Sequence, residues 1–148
     1  MSSNIDLSLI VPMYNEEEVI ELFFQKIRKI LEELSQYSYE IVCINDGSKD
    51  NTLEILKDYA TKDSRIKIIS FSRNFYKEQA VFAGLEMCSG RAVIPMDVDL
   101  QDPPELIVQF IKKWEDGYDV VYGVRTYRNE DGIFKKISAL LFYKVYNK

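Results

Sequence analysis

Leu7-Ser-Leu-Ile-Val-Pro12 is followed by Met13-Tyr-Asn-Glu16 and then by Val19, Ile20, Phe23, Ile27, Ile30, Leu31 and Leu34 at helical spacing. A short apolar run reads as a strand buried on both faces, and apolar residues three and four apart form the stripe of a helix, here Glu16 to Leu34. The pair recurs along the chain. Tyr39–Asn45 precedes a helix over Thr52–Tyr59, and Ile66–Ser70 precedes one over Lys77–Cys88 that Gly90 would cap. Arg91–Met96 precedes a helix opened by Pro103 and Pro104 and running to about Trp114, and Asp119–Val124 reads as a fifth strand after Gly117. Strands separated by helices predict an α/β fold, a Rossmann-like three-layer sandwich around a mostly parallel sheet.

Composition narrows the function. The 148 residues are 47% hydrophobic, enough for one core, and carry a net charge of −5. That charge is uneven: residues 1–124 hold 13 basic and 22 acidic side chains, whereas residues 125–148 hold six basic and two acidic. An acidic body with a basic tail argues against nucleic-acid binding and for a local anionic contact. The chain has no histidine, which excludes a Ser/His/Asp triad, a Cys/His dyad and a His-ligated zinc within it. Carboxylates must carry any metal or acid/base chemistry. Cys43 and Cys88 lie in apolar segments and read as buried, reduced thiols on a cytosolic face. No signal peptide and no run of 18 apolar residues is present, so export and membrane spanning are not expected of the chain as given.

Ligands of such sheets bind beyond the carboxyl ends of the strands, which directs attention to four loops. Asp97-Val-Asp99-Leu-Gln101 is the sharpest. In extended backbone, alternate residues point the same way, so Asp97, Asp99 and Gln101 would converge as hard oxygen ligands for Mg²⁺ or Mn²⁺; the plainer reading is that the two acids cap a turn. Asp46-Gly47-Ser48 is either a turn, with Asp50 or Thr52 capping the next helix, or a place where Asp46 accepts from a nucleobase or ribose. Tyr14 would stack a base, or else pack beside a helix entered through Asn15. Neither Gly-x-Gly-x-x-Gly nor a P-loop occurs, so phosphates would be held by metal and cations.

Taken together, Val11-Pro-Met-Tyr-Asn-Glu-Glu17, Asn45-Asp-Gly-Ser-Lys-Asp-Asn-Thr52, Ser72-Arg-Asn-Phe75, Lys77-Glu78 and Ile94-Pro-Met-Asp-Val-Asp-Leu-Gln-Asp-Pro-Pro-Glu105 resemble the family 2 glycosyltransferases. Their polyprenyl-phosphate branch, which includes bactoprenol glucosyltransferases and dolichol-phosphate mannosyltransferase, is the best match, and Gly117-Tyr-Asp-Val-Val-Tyr-Gly-Val-Arg125 extends it. The resemblance implies a GT-A fold over residues 1–124 and an inverting, metal-dependent transfer of a hexose from a nucleotide sugar. Glucose from UDP-glucose is favoured over a GDP-sugar, with a polyprenyl phosphate as acceptor. By position, Pro12, Tyr14, Glu16, Asp46 and Asp97 would bind the nucleotide. Asp97, Asp99 and Gln101 would hold Mg²⁺ or Mn²⁺, and Asp99, Asp102 and Arg125 would act in catalysis. Asn45, Val98 and Tyr76 stand where Asp, Ala and Gly are common in the family.

An acceptor phosphate is already anionic and needs no general base, whereas a sugar hydroxyl would need one, with Asp102 the best-placed carboxylate or simply a helix cap. A hydroxyl-acceptor transferase and a non-catalytic nucleotide-sugar-binding fragment are the alternatives. In residues 125–148, Ile133, Phe134, Ile137, Leu140, Leu141 and Val145 share a helical stripe beside Lys135, Lys136 and Lys144. This basic amphipathic segment fits the cytoplasmic surface of an anionic membrane, as the start of a membrane-proximal region, or else covers the sheet; a homo-oligomer is also compatible.

Overall fold

Four strands alternate with four helices: β1 (Leu7–Met13), α1 (Ile20–Glu33), β2 (Tyr39–Asn45), α2 (Thr52–Lys62), β3 (Ile66–Ser70), α3 (Lys77–Met87), β4 (Ala92–Pro95) and α4 (Leu106–Glu115). The structure is a computed structural model that describes residues 5–124. The basic segment 125–148 lies outside the described residues. All four strands are parallel, in the order β3-β2-β1-β4. Met13 pairs with Asn45, and Asn45 with Ser70, so three strands end level. The loops that follow them therefore leave the sheet side by side.

The apolar runs of β1 and β2 are buried on both faces, as their lack of alternation implies. Leu7, Leu9, Val11, Met13, Ile41 and Cys43 pack with Ile20, Phe23, Phe24 and Ile27 of α1, Leu56 of α2, and Ile107 and Ile111 of α4. Ile10, Val42 and Ile44 face the other way, onto Ala80 of α3. Burying each such side chain stabilises the fold by roughly 1.5–3 kcal/mol. A Cβ on Gly84 would lie 2.5 Å from Ile10 Cγ2, so only glycine lets α3 settle this close to the sheet. Burial pushes the Cys43 thiol up to about 12, whereas Cys88, expected to be buried, is only half-buried.

Several boundaries differ from the sequence reading for local reasons. Helix α1 begins at Ile20 rather than Glu16: Asn15 takes a left-handed φ of 54°, and residues 17–19 form a turn in which the Val19 and Ile20 N–H groups both donate to the Glu16 carbonyl. Helix α2 runs three residues past Tyr59, and α4 starts at Leu106 after a turn in which Leu106 N–H donates to the Pro103 carbonyl. Gly90 does not cap α3, which ends at Met87. Its small size is used against β1, where a Cβ would sit 2.6 Å from Ser8 N. The fifth strand is absent from the described sheet. Val120 and Tyr122, which suggested it, are 78% and 77% exposed. β-branched and aromatic residues favour a strand only where a neighbouring strand receives them, and among the described residues this segment has none beside it.

At the amino end of the sheet, Glu40 is buried and tied down. Its Oε1 accepts from Ser8 Oγ at 2.6 Å and from Ser89 N–H at 2.5 Å, and its Oε2 lies 2.5 Å from Lys67 Nζ. Burial raises its pKa, but the Lys67 ammonium, the Ser8 hydroxyl and the Ser89 N–H outweigh that effect and hold it below the ordinary value of 4.5. A lowered folded pKa contributes stability that is present above the unfolded value and lost as pH falls through the folded one. Urea unfolding should therefore show wild-type stability declining below about pH 4.5. Glu40→Gln should lose about 1–3 kcal/mol at pH 7 and decline less in acid. Equal stability of the two proteins at pH 7 would contradict this role.

Candidate functional site

The level strand ends place four loops at one edge of the sheet, and side chains lace them together. Asn15 adopts a left-handed φ of 54°, and its Oδ1 accepts from Lys49 N–H at 2.8 Å while its own N–H donates to Ser48 Oγ at 3.0 Å. Glu16 N–H donates to Thr52 Oγ1 at 2.8 Å and Glu17 N–H to Asp50 Oδ2 at 3.1 Å. In return, Glu17 Oε2 accepts from the backbone and side-chain amides of Asn51 at 2.9 and 2.7 Å. Asp50 Oδ1 also accepts from Thr52 N–H at 3.0 Å, although the cap position of α2 is Asn51 rather than Asp50 or Thr52. Its pKa is lowered: burial acts to raise it, but the bonds from Thr52 and Glu17 prevail.

Asp46 and Gly47 join the third loop to this pair. Asp46 N–H donates to the Met13 carbonyl at 2.8 Å, and Asp46 Oδ1 accepts from Phe75 N–H at 2.7 Å. One carboxylate oxygen is thus spent on positioning the 72–76 loop. Gly47 has φ +67°, and a Cβ there would fall 2.3 Å from the Arg73 carbonyl carbon. Asn45 donates through Nδ2 to Ser70 Oγ at 3.0 Å and accepts from Ser48 N–H at 3.2 Å. Because Asn45 has both a donor and an acceptor, it serves both neighbours at once, which a carboxylate could not do in the same way.

The fourth loop departs from the expected geometry. The chain turns at Val98 and Asp99, and Leu100 takes a left-handed φ of 55°, so the backbone is not extended through Asp97–Gln101. Val98 and Leu100 pack on the core, while Asp99 and Gln101 face solvent and Gln101 N–H donates to Asp99 Oδ1 at 3.2 Å. Asp97 pairs with Lys77, Nζ to Oδ1, at 2.5 Å. The half-buried Glu16 carboxyl has a raised pKa, first from burial and then from the charges of Asp99, Asp50 and Asp97. Four carboxylates from three loops therefore share one electrostatic field. Among the described residues, no group of three or more His, Cys, Asp or Glu side chains is gathered as a cation cage. The donor types, two carboxylates and an amide in a negative field, suit a hard divalent ion, but the turn at Val98 and Asp99 does not bring Asp97, Asp99 and Gln101 together as the extended reading expected.

Pro12 is half-buried in β1 beside Ile44, and Tyr14 projects from the first loop at 39% exposure. Beside them, Asn15, Glu16, Glu17, Lys49 and Asp50 line a cleft of about 440 Å³. Asp102 lies in an exposed bend ahead of α4, whose cap position is Glu105. Arg125 lies outside the described residues. A second cleft, of about 470 Å³, lies at the opposite end of the sheet between Arg28, Tyr37, Tyr39 and Arg65. Its arginines are engaged: Arg65 binds Asp63 and covers the Tyr39 ring, and Arg28 lies over Tyr59. Sequence reasoning missed the tying roles of Ser48 and Glu17 and the pairing of Lys77. The only signal for the first two was the density of Asn, Asp, Ser and Thr across both loops.

The Glycosyl transferase family 2 model matches residues 8–147. The bactoprenol glucosyl transferase of Shigella phage SfX is 51% identical over 142 residues, covering 96% of this chain and 46% of that protein. The uncharacterized glycosyltransferase YkcC of Bacillus subtilis (strain 168) is 46% identical over 145 residues, covering 98% of this chain and 45% of its own length. The chain spans about half the length of the curated relatives it matches. Among solved structures, the mannosyltransferase PcManGT from Pyrobaculum calidifontis, in complex with GDP-Man and Mn²⁺, superposes with a TM-score of 0.61 at 22% identity over 76% of this chain and 33% of that one. S. aureus TarS 1–349 in complex with UDP superposes at 0.56 with 24% identity, over 88% of this chain and 40% of that one. The α/β architecture is that of the GT-A glycosyltransferases.

The lacing yields two stability predictions. Asp46→Ala frees Phe75 N–H and should lower the unfolding free energy by about 1.5–3 kcal/mol, the range for a hydrogen bond to a charged group. Gly47→Ala places a methyl against backbone as well as straining φ, and should cost at least as much. Urea unfolding checks both, and wild-type stability in either variant would show that the loops are not held this way.

Proposed function

Because the chain belongs to glycosyl transferase family 2, we propose that it carries the nucleotide-sugar side of an inverting transfer of glucose from UDP-glucose to a polyprenyl phosphate. The observation that carries this reading is the acidic mouth formed by Glu16, Asp50, Asp97 and Asp99 at the carboxyl ends of the strands. The 51% identity to a protein named bactoprenol glucosyl transferase supports the choice of sugar and acceptor. The complex of PcManGT with GDP-Man and Mn²⁺ supports a divalent ion and a nucleotide sugar as ligands of this fold.

In this reading, Tyr14 stacks on the base while Pro12, Glu16 and Asp46 shape its pocket. Asp46 does so with its loop already locked through Phe75 N–H. Asp97, Asp99 and Gln101 hold Mg²⁺ or Mn²⁺, which when bound supplies Lewis-acid stabilisation of the charge on the departing diphosphate. Arg125 meets donor or acceptor phosphate. The acceptor phosphate attacks the sugar C1 as an anion, so no residue here needs to remove a proton, in keeping with a chain without histidine. Asp102 stands close to the cation loop in sequence and would act as a base only toward a hydroxyl acceptor.

Segment 125–148 forms the membrane-proximal side of the proposal. Among the described residues, no helix is long and apolar enough to cross a bilayer. The six basic side chains of that segment supply attraction to the anionic cytoplasmic leaflet, each worth about 1 kcal/mol near the surface.

The test is transfer from UDP-[¹⁴C]glucose in the presence of Mg²⁺ and vesicles containing a polyprenyl phosphate. Label should appear in the organic phase and be lost with Asp99→Ala, which should remain folded. Label in a water-soluble oligosaccharide would favour a hydroxyl acceptor, and nucleotide binding without turnover would reduce the role to donor binding.

A further inference from the structure

Lys77 is the first residue of α3, and its ammonium reaches across the mouth to Asp97, 2.5 Å from Oδ1. The geometry points to Lys77 as an internal counter-ion of Asp97 that a divalent cation displaces and that then engages the diphosphate of the donor. The inference rests on the proposed reading of Asp97 and Asp99 as cation ligands.

A divalent cation on Asp97 would share one carboxylate with the Lys77 ammonium, which lies 2.5 Å from Oδ1, and the repulsion between the two cations favours opening the ion pair as the metal enters. The two side chains are 60% and 43% exposed. A pair this open to water contributes no more than about a five-fold factor to an equilibrium, so it yields readily to a divalent ion.

The released ammonium cannot travel far, because its backbone is fixed. Gln79 and Ala80 N–H groups donate to the Tyr76 carbonyl at 3.1 and 3.2 Å, and Ala80 is buried against the sheet. On the other side, Asp46 holds Phe75 N–H, and Tyr76 sits at φ 72° and ψ 159°, a region that favours glycine. A strained residue next to Lys77 is what would be expected if the loop is held to deliver that side chain rather than to minimise its own energy. From this anchor, a four-carbon stem sweeps the space around Asp97, where a phosphate bridged through the cation would lie. The positive end of α3 favours the same anion.

Two measurements on the chain test this. The first is Mn²⁺ binding without nucleotide, followed by the electron paramagnetic resonance of free Mn²⁺, for wild type, Lys77→Met, Lys77→Gln and Lys77→Arg. Both uncharged variants should bind Mn²⁺ about three- to five-fold more tightly, and Lys77→Arg should stay near wild type. Lys49→Met, which removes a charge from the adjacent cleft, should change Mn²⁺ affinity less than about two-fold and so separates the direct pair from the general field.

The second is calorimetry at saturating Mn²⁺. Lys77→Met should weaken UDP about ten-fold while leaving uridine unchanged. Mn²⁺ affinity unchanged in the uncharged variants, or equal losses for UDP and uridine, would overturn the inference. No Mn²⁺ binding by wild type, with or without UDP, would overturn the cation reading of Asp97 and Asp99 and this inference with it. Thermal unfolding of each variant confirms that it is folded.

Discussion

A single buried carboxylate organises the mouth of this sheet. Asp46, 3% exposed, stands at the end of β2, donates its N–H to the end of β1 and accepts the Phe75 N–H from the loop before α3. Without it, the loop before α3 would lose its side-chain tie to the other two, which are laced to each other separately. A buried acceptor that satisfies a backbone donor is costly to lose and therefore fixes geometry rather than merely adding stability. Gly47 follows because the loops it joins pass too close for a side chain, and the Asn15–Lys49 and Glu17–Asn51 bonds extend the same lattice outward.

That rigidity matters because the mouth is electrostatically unfavourable as it stands. Glu16, Asp50, Asp97 and Asp99 lie within reach of one another, and Glu16 responds with a raised pKa. Proteins concentrate like charges where a ligand will neutralise them, and a divalent ion with its phosphates is the ligand this donor chemistry suits. The other end of the sheet is arranged differently. Glu40 is held by hydrogen bonds from Ser8 and Ser89 and by the ion pair with Lys67, and the arginines of the second cleft are taken up by Asp63 and by aromatic rings. Charge is satisfied at the amino end and left in excess at the carboxyl end.

Much of this was legible in the sequence. The unbroken apolar runs Leu7–Pro12 and Tyr39–Asn45 announced central parallel strands, and the parallel topology then told where the polar loops would meet. What was not legible depends on contacts between distant residues. Asn15, Glu16 and Glu17 are tied to Ser48, Thr52 and Asp50 of a distant loop ahead of α1, and no local propensity encodes those contacts. Asp119–Val124 carries strand-forming residues but has no strand beside it among the described residues. Asp97–Gln101 looked extended, yet Leu100 is left-handed and the loop turns, which changes how its carboxylates meet a cation. Asp46 read either as part of a turn or as a ligand acceptor, and its bond to Phe75 N–H in a distant loop was in neither reading.

The central claim is that a nucleotide and a divalent ion bind where the four loops meet. Amide-resolved nuclear magnetic resonance during titration with UDP and Mg²⁺ tests it most directly. The account predicts shifts at Tyr14–Glu17, Asp46–Thr52, Phe75–Lys77 and Asp97–Gln101, with Glu40, Ser89 and Gly90 unmoved. Shifts concentrated instead around Arg28, Tyr37 and Arg65, with the strand-end loops silent, would contradict it.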